Sequence, residues 1–233
     1  MRVCSLFSGG KDSTYALHWA VLKGFDVVCL LTLRPHHSDS WMFHYPNVEW
    51  TRYQAEALGI EQVIYETSGA KDVELEDLRR AFADVKDRFG VTGIVTGALL
   101  SDYQRMMINI IAHEVGLKVY SPLWRKDQAT YLRDLYRQGF RFVLTSISAM
   151  GISPRLLGKV LTLNDIEELI KSAIKYGFNP ALEGGEGETF VVDAPLFRYR
   201  VVIDDGEVKR LDQYSWIYVI KAVHLEPKVL DKA

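Results

Sequence analysis

The chain has 233 residues, a net charge of −2, 48% hydrophobic and 25% charged side chains. That length exceeds one small α/β domain and falls short of two full ones, and the balanced composition excludes a disordered or fibrous chain. Neither half has the basic excess that binding of bulk nucleic acid requires, and no apolar run approaches the ~18 residues that would cross a bilayer. Cys4 and Cys29 sit in apolar runs outside any CxxC pair, so no disulfide framework, metal cluster or redox motif is expected. Met1 to Phe7 run straight into a strand pattern with no cleavable signal before it, which predicts a soluble cytoplasmic protein without membrane contact.

In chain order, apolar runs at 3–7, 27–33, 63–65, 94–96 and 119–120 read as short strands buried on both faces. Helical periodicity fills the gaps. It is clearest at Leu75, Leu78, Phe82, Val85 and Phe89, and weaker at Val48, Thr51, Ala55 and Leu58. Gly24, Gly59, Gly90, Gly116, Gly139 and Gly177 each follow a periodic segment, where a left-handed residue closes a helix. Ser101 with Gln104, and Asn164 with Glu167, have the spacing of capping boxes. The alternation predicts an α/β fold with a doubly wound, five-stranded, mostly parallel sheet, strand one beside strand four. Beyond residue 125 the pattern changes to a helix at 127–138, a strand at 140–144 and a helix at 164–176. From Thr189 an antiparallel tail follows, with Asp205-Gly206 as a hairpin turn between 199–203 and 208–211. The expected division is a first domain over 1–125 and a smaller α+β domain over 126–233.

The most informative stretch is Ser8-Gly9-Gly10-Lys11-Asp12-Ser13, between the first strand and the first helix. Two glycines let the backbone turn tightly against a ligand, and the helix start adds unpaired donors and partial positive charge. Ser8 and Ser13 supply hydroxyls and Lys11 a full charge. Asp12 would oppose a bound phosphate unless it holds a bridging Mg²⁺. The spacing is neither that of a Walker loop nor GxGxxG.

This motif resembles the PP-loop of the ATP pyrophosphatase superfamily, whose members cleave ATP between the α- and β-phosphates. Three further stretches are similar to the diphthine–ammonia ligase family in its short archaeal-type form: residues 40–44 (SWMFH), residues 97–105 (GALLSDYQR), and residues 183–190 (EGGEGETF) leading to 193–197 (DAPLF). The resemblance implies an adenine nucleotide alpha hydrolase-like fold, with an ATP-binding domain over 1–125 and a substrate-recognition domain over 126–233. It implies adenylation of the diphthine carboxylate on translation elongation factor 2, amidation by ammonium to diphthamide, and release of AMP and pyrophosphate. ATP and Mg²⁺ are the implied cofactors.

On this reading Lys11, Asp12 and Arg105 carry the chemistry, and Asp12 holds the metal. Ser8, Gly9, Gly10, Lys11, Asp12, Ser13, Leu31, Thr32, Leu33, His44 and Gly97 hold the nucleotide. Ser101, Gln104, Arg105, Glu183, Glu186, Glu188 and Thr189 hold the substrate. Arg105 suits a bidentate grip on phosphate or carboxylate. Carboxylates beside Phe190, Phe197 and Tyr199 suit a trimethylammonium group, with ammonium or a metal as the other readings of that stretch. His36, His37 and His44 cluster without the spacing of a metal site. Two rivals stand beside the ligase: a PP-loop enzyme modifying tRNA, which the acidic balance disfavours, and an ATP-sensing module without chemistry, which needs no acidic stretch. Association into a homo-oligomer stays open.

Overall fold

The computed structural model describes residues 1–35, 47–67 and 71–228. These form two compact units, one of Met1–Val48 with Ile60–Asp127 and one of Glu49–Gly59 with Gln128–Ala233.

The first unit contains β1 (Arg2–Leu6), α1 (Lys11–Leu22), β2 (Asp26–Pro35), β3 (Gln62–Thr67), α3 (Lys71–Phe89), β4 (Gly93–Val95), α4 (Asp102–Val115) and β5 (Lys118–Tyr120); α2 lies elsewhere, as described below. The sheet order is β3-β2-β1-β4-β5, with every pair parallel, so the predicted doubly wound sheet with β1 beside β4 is borne out. Successive residues of β1 point to opposite faces. Cys4, with Leu31 and Leu33 of β2, packs against Leu78 and Phe82 of α3 and Ile111 of α4. Val3 and Val95 pack instead against Ala16 and Ala20 of α1. Both faces are thus covered, which is why the strands read as unbroken apolar runs. Cys4 and Cys29 are register partners on β1 and β2, both buried as free thiols, and burial with a hydrogen bond to Cys29 pushes the Cys4 thiol up.

The second unit is built on an antiparallel sheet, β7-β6-β9-β8, from β6 (Arg141–Ile147), β7 (Gly187–Asp193), β8 (Tyr199–Arg210) and β9 (Trp216–Pro227). It also holds α5 (Gln128–Arg137) and α6 (Leu163–Tyr176), joined by a bidentate Arg133–Glu167 pair at 2.6 and 2.8 Å. The helix α2 (Thr51–Leu58), placed by the sequence between β2 and β3, belongs to this unit. Its buried Gln54 donates to Val191 O of β7 at 2.7 Å, and Ala57 O accepts from Arg198 N at 2.7 Å. Among the described residues no helix is long and apolar enough to cross a membrane.

Two expectations are corrected here. Asp205-Gly206 is not a hairpin turn: β8 runs through it to Arg210, with a register shift at these residues, and the chain reverses at 211–215. Tyr218 of β9 lies over Gly206, in the space a Cβ would take, so a larger residue there would require the phenol ring to shift. The capping box of α6 is Thr162 with Asp165, not Asn164 with Glu167. Both pairs have the right spacing, and Glu167 is engaged by Arg133.

That capping box predicts a pH signature. Asp165 is nearly buried, which opposes its ionisation, but Lys159 Nζ at 2.7 Å, Thr162 Oγ1 at 2.6 Å and Thr162 N at 2.8 Å outweigh this and lower its pKa to about 2. A depressed carboxylate pKa contributes stability that is complete above the unfolded value, about 4, and is lost as pH falls through about 2. Asp165→Asn is therefore expected to lower stability by about 1 kcal/mol at pH 7. The gap to wild type should close between about pH 4 and 2 in thermal melts. A gap constant across that range would remove the ionised carboxylate from the account.

Candidate functional site

In a parallel sheet the helix after each strand starts at the carboxyl edge, so the β1–α1 and β4–α4 connections meet there. Residues 8–10 turn from β1 into α1, with Gly9 at φ +78°, a conformation that favours glycine. Gly10 occupies the N-cap and has no side chain to cap the helix, so this end of α1 is built without the usual side-chain acceptor. The loop is tied internally. Ser8 N donates to Ser13 Oγ at 3.3 Å, Ser13 Oγ donates to Gly10 O at 3.1 Å, and Thr14 Oγ1 donates to Gly10 O at 2.8 Å. Because the Ser13 proton is used on Gly10, the 3.2 Å contact between Ser8 Oγ and Ser13 Oγ has Ser8 as donor. Turning either hydroxyl towards a phosphate exchanges one of these bonds for a charge-assisted one.

Lys11 is 3% exposed, and its ammonium donates to Asp12 Oδ2 at 2.8 Å. A buried cation at a helix N-terminus stands where the helix dipole is unfavourable to it, and the partly exposed Asp12 carboxylate offsets part of that cost. A polyphosphate would give both the ammonium and the helix end charged acceptors. Among the described residues no group of three His, Cys, Asp or Glu side chains forms a metal cage. A cation held by Asp12 together with nucleotide phosphates, in the manner of Mg²⁺, still fits this donor set.

Gly97 follows β4 and touches the loop. A Cβ there would stand 2.6 Å from Asp12 C and Ser13 N. Its place in the site is therefore steric, letting the β4 connection lie against the backbone of α1. Four residues on, Ser101 caps α4, accepting from Gln104 N at 3.3 Å as the spacing predicted. Arg105 lies one turn into α4 with its guanidinium over Trp124, 4.4 Å from the ring centroid. Its Nε is buried without a hydrogen-bond partner among the described residues. Gln104 is partly buried nearby in sequence, on the same first turn.

Leu31 and Leu33 are core side chains, and Thr32 Oγ1 donates to Phe7 O at 2.7 Å while accepting from Gln62 Nε2 at 2.8 Å. Those side chains are already committed, which leaves only backbone groups of this strand end for an adenine. His44, with His36 and His37, lies outside the described residues.

The acidic stretch belongs to the second unit and precedes and enters β7. Glu186 turns inward. Its Oε1 accepts from Asn179 N at 2.9 Å and Asn179 Nδ2 at 2.8 Å, and its Oε2 accepts from Gly184 N at 2.6 Å. Gln128 extends this frame, donating to Asn179 Oδ1 at 3.2 Å and accepting from Ala181 N at 2.9 Å. Gly187 is required because a Cβ would meet Ser146 O at 2.5 Å. Glu183, Glu188 and Thr189 are partly buried, Glu188 opposite Ser146 and Thr189 opposite Leu144. Phe190 and Phe197 are core rings, so an aromatic wall from them is not available to a trimethylammonium group; Tyr199 is the exposed member of that set.

The sequence reading missed Thr14, which locks the loop, and His18, whose buried Nδ1 donates to Thr14 O at 2.7 Å. Both lie on α1, Thr14 directly after the motif and His18 one turn further on, where spacing alone could have flagged them. It also missed Gln128 and Asn179 as the frame of the acidic loop, for which no local signal exists.

The comparisons agree with these motifs. Residues 1–119 match the model of the diphthamide synthase N-terminal domain, and residues 127–225 that of the diphthamide synthase C-terminal domain. The diphthine–ammonia ligase of Homo sapiens is 32% identical over 98% of this chain and 94% of its own length. That of Danio rerio is 35% identical over 89% of this chain and 88% of its own. The same-named protein of Schizosaccharomyces pombe is 34% identical over 89% of this chain but only 37% of its own length. The chain thus belongs to the diphthamide synthase family and is an enzyme of the ligase class.

Proposed function

We propose that the chain is an ATP-dependent diphthine–ammonia ligase. It adenylates the carboxylate of diphthine on translation elongation factor 2 and amidates it with ammonium to diphthamide, releasing AMP and pyrophosphate. The observation that carries this reading is the buried Lys11 at the uncapped start of α1, behind a two-glycine turn. Such a site is built for a polyphosphate.

The chemistry explains why ATP is needed. A carboxylate does not give an amide with ammonia at neutral pH, because oxide is not a leaving group. The substrate carboxylate oxygen attacks the α-phosphorus in line, and the bond to the bridging oxygen of pyrophosphate breaks. Ammonia then adds to the acyl carbon, AMP departs with the oxygen, and the nitrogen gives up a proton. Lys11 and the helix end stabilise the charge that develops on the departing pyrophosphate. Asp12 would hold Mg²⁺ on the phosphates, which would supply further charge neutralisation there. Arg105 orients an anionic group beside this loop. In the second unit, Glu183 and Glu188 take the trimethylammonium group, while Glu186 shapes the loop that presents them.

Lys11→Met keeps the stem and removes the charge. Its melting profile is expected to stay cooperative, while pyrophosphate release drops by about 100-fold or more, the scale of losing one group that stabilises developing charge. Release by wild type should require both diphthine-bearing elongation factor 2 and ammonium. Undiminished turnover by Lys11→Met would remove the PP-loop assignment, and release driven by tRNA instead would favour the tRNA-modifying reading.

A further inference from the structure

Three cations of the first unit stack on two aromatic rings that the backbone ties to the PP-loop. Arg105 of α4 and Arg125, in the segment after β5, share one ring: their guanidinium carbons are 4.4 and 5.6 Å from the centroid of Trp124. Lys126 stands over Tyr15 of α1, 4.9 Å from the ring centroid, and donates to Tyr15 Oη at 3.1 Å. The backbone ties the group to the motif. Arg125 N donates to Leu99 O at 2.9 Å, two residues after the glycine that rests on Asp12 and Ser13, and Tyr15 is one turn beyond Lys11.

None of the three cations pairs with a carboxylate among the described residues. Elsewhere in the unit arginines are paired: Arg34 with Glu66, Arg79 with Glu76 and Glu114, Arg88 with Asp84 and Glu61. Two guanidiniums on one indole repel each other, and Arg105 also has a buried Nε without an acceptor among the described residues. Both costs are removed if an anion binds at the guanidinium edges, because ring stacking occupies only the faces. A single carboxylate would leave most of the positive charge unmatched. A diphosphate, with several charged oxygens, matches all three cations and the bidentate geometry of arginine.

We infer that Arg105, Arg125 and Lys126, held on Trp124 and Tyr15, form a second anion site beside the PP-loop that receives the pyrophosphate once it has separated from AMP. The inference rests on the adenylating reading above and gives it an exit route. Moving the product off Lys11 would clear the loop and disfavour the reverse reaction.

The test occupies the PP-loop with an ATP analogue bearing a methylene bridge between the α- and β-phosphates, then titrates inorganic pyrophosphate by calorimetry. Wild type should bind pyrophosphate on top of the analogue. The double variant Arg125→Gln/Lys126→Gln should bind it at least about tenfold more weakly, with affinity for the analogue within about threefold of wild type. Trp124→Leu should follow the double variant and Trp124→Phe should recover most of the affinity, since a ring face is what is required. No pyrophosphate binding to the analogue complex, or binding untouched by the double variant, would overturn the site. So would a parallel loss of analogue affinity, which would assign the cations to the nucleotide pocket, or a loss confined to elongation factor 2, which would make them a partner surface. Failure of the adenylating reading is separate, because it appears as wild type releasing no pyrophosphate with diphthine and ammonium present.

Discussion

Gly97→Ala is expected to weaken ATP binding by about 100-fold while leaving a folded protein. The added Cβ would stand 2.6 Å from Asp12 C and Ser13 N and 2.8 Å from Asp12 O, and all three are backbone atoms of the first turn of α1. No rotamer change relieves such a contact. The β4 connection and the helix start must part by roughly 1 Å, a displacement that costs about 100-fold when it falls on groups that position a substrate. The overpacking itself should cost about 1–3 kcal/mol in stability. Gly24→Ala is the matched control: nothing lies within 4 Å of its added Cβ, but φ is +79°. It should lose about 1 kcal/mol through backbone strain and keep its ATP affinity. Calorimetry and thermal melts of the two variants separate the effects. Wild-type ATP affinity in Gly97→Ala would show that the contact between β4 and α1 does not shape the loop.

The second large effect is expected at Glu186, and it is structural. Its two oxygens accept from three N–H groups, two on Asn179 and one on Gly184. Glutamine has one acceptor oxygen, so Glu186→Gln must place an amide NH₂ against either Asn179 or Gly184, donor facing donor. The loss is that of hydrogen bonds to a charged group plus unsatisfied partners, about 2–3 kcal/mol. The lowered melting temperature should come with faster proteolysis near residues 183–187. Glu183→Gln and Glu188→Gln are expected to lose affinity for diphthine-bearing elongation factor 2. If Glu186→Gln keeps its stability and loses only the partner, Glu186 is a ligand group after all.

The division between these glutamates shows where the sequence stops being informative. Residues 183–188 read as one acidic glycine loop, and nothing within it marks Glu186 as the inward member. That choice is made by Asn179, seven residues earlier, itself held by Gln128. The aromatic neighbours were equally ambiguous. Phe190 and Phe197 suit either a cation wall or a core, and burial under the second unit's own packing makes them core.

What the sequence by itself determined is local or periodic. The five parallel strands follow from short β-branched runs separated by amphipathic segments, since strands buried on both faces need such composition. The Ser101 cap and the glycine-lined turn into α1 depend on residues three to five apart, close enough for spacing to specify the contact. Tertiary structure decided the rest. The weak periodicity of 48–58 correctly marked a helix, but only the bond from Gln54 to Val191, 137 positions away, assigns it to the second unit. Asp205-Gly206 has the chemistry of a turn, yet β8 runs through it because its residues on both sides pair with β9. Thr162 with Asp165 and Asn164 with Glu167 are equivalent as patterns, and Arg133 and Lys159 separate them by engaging Glu167 and Asp165. Short-range hydrogen bonds form wherever the spacing allows them. Among competing local solutions, the one that survives is the one whose remaining polar groups find partners and whose glycines face another residue's bulk, and those partners come from distant parts of the chain.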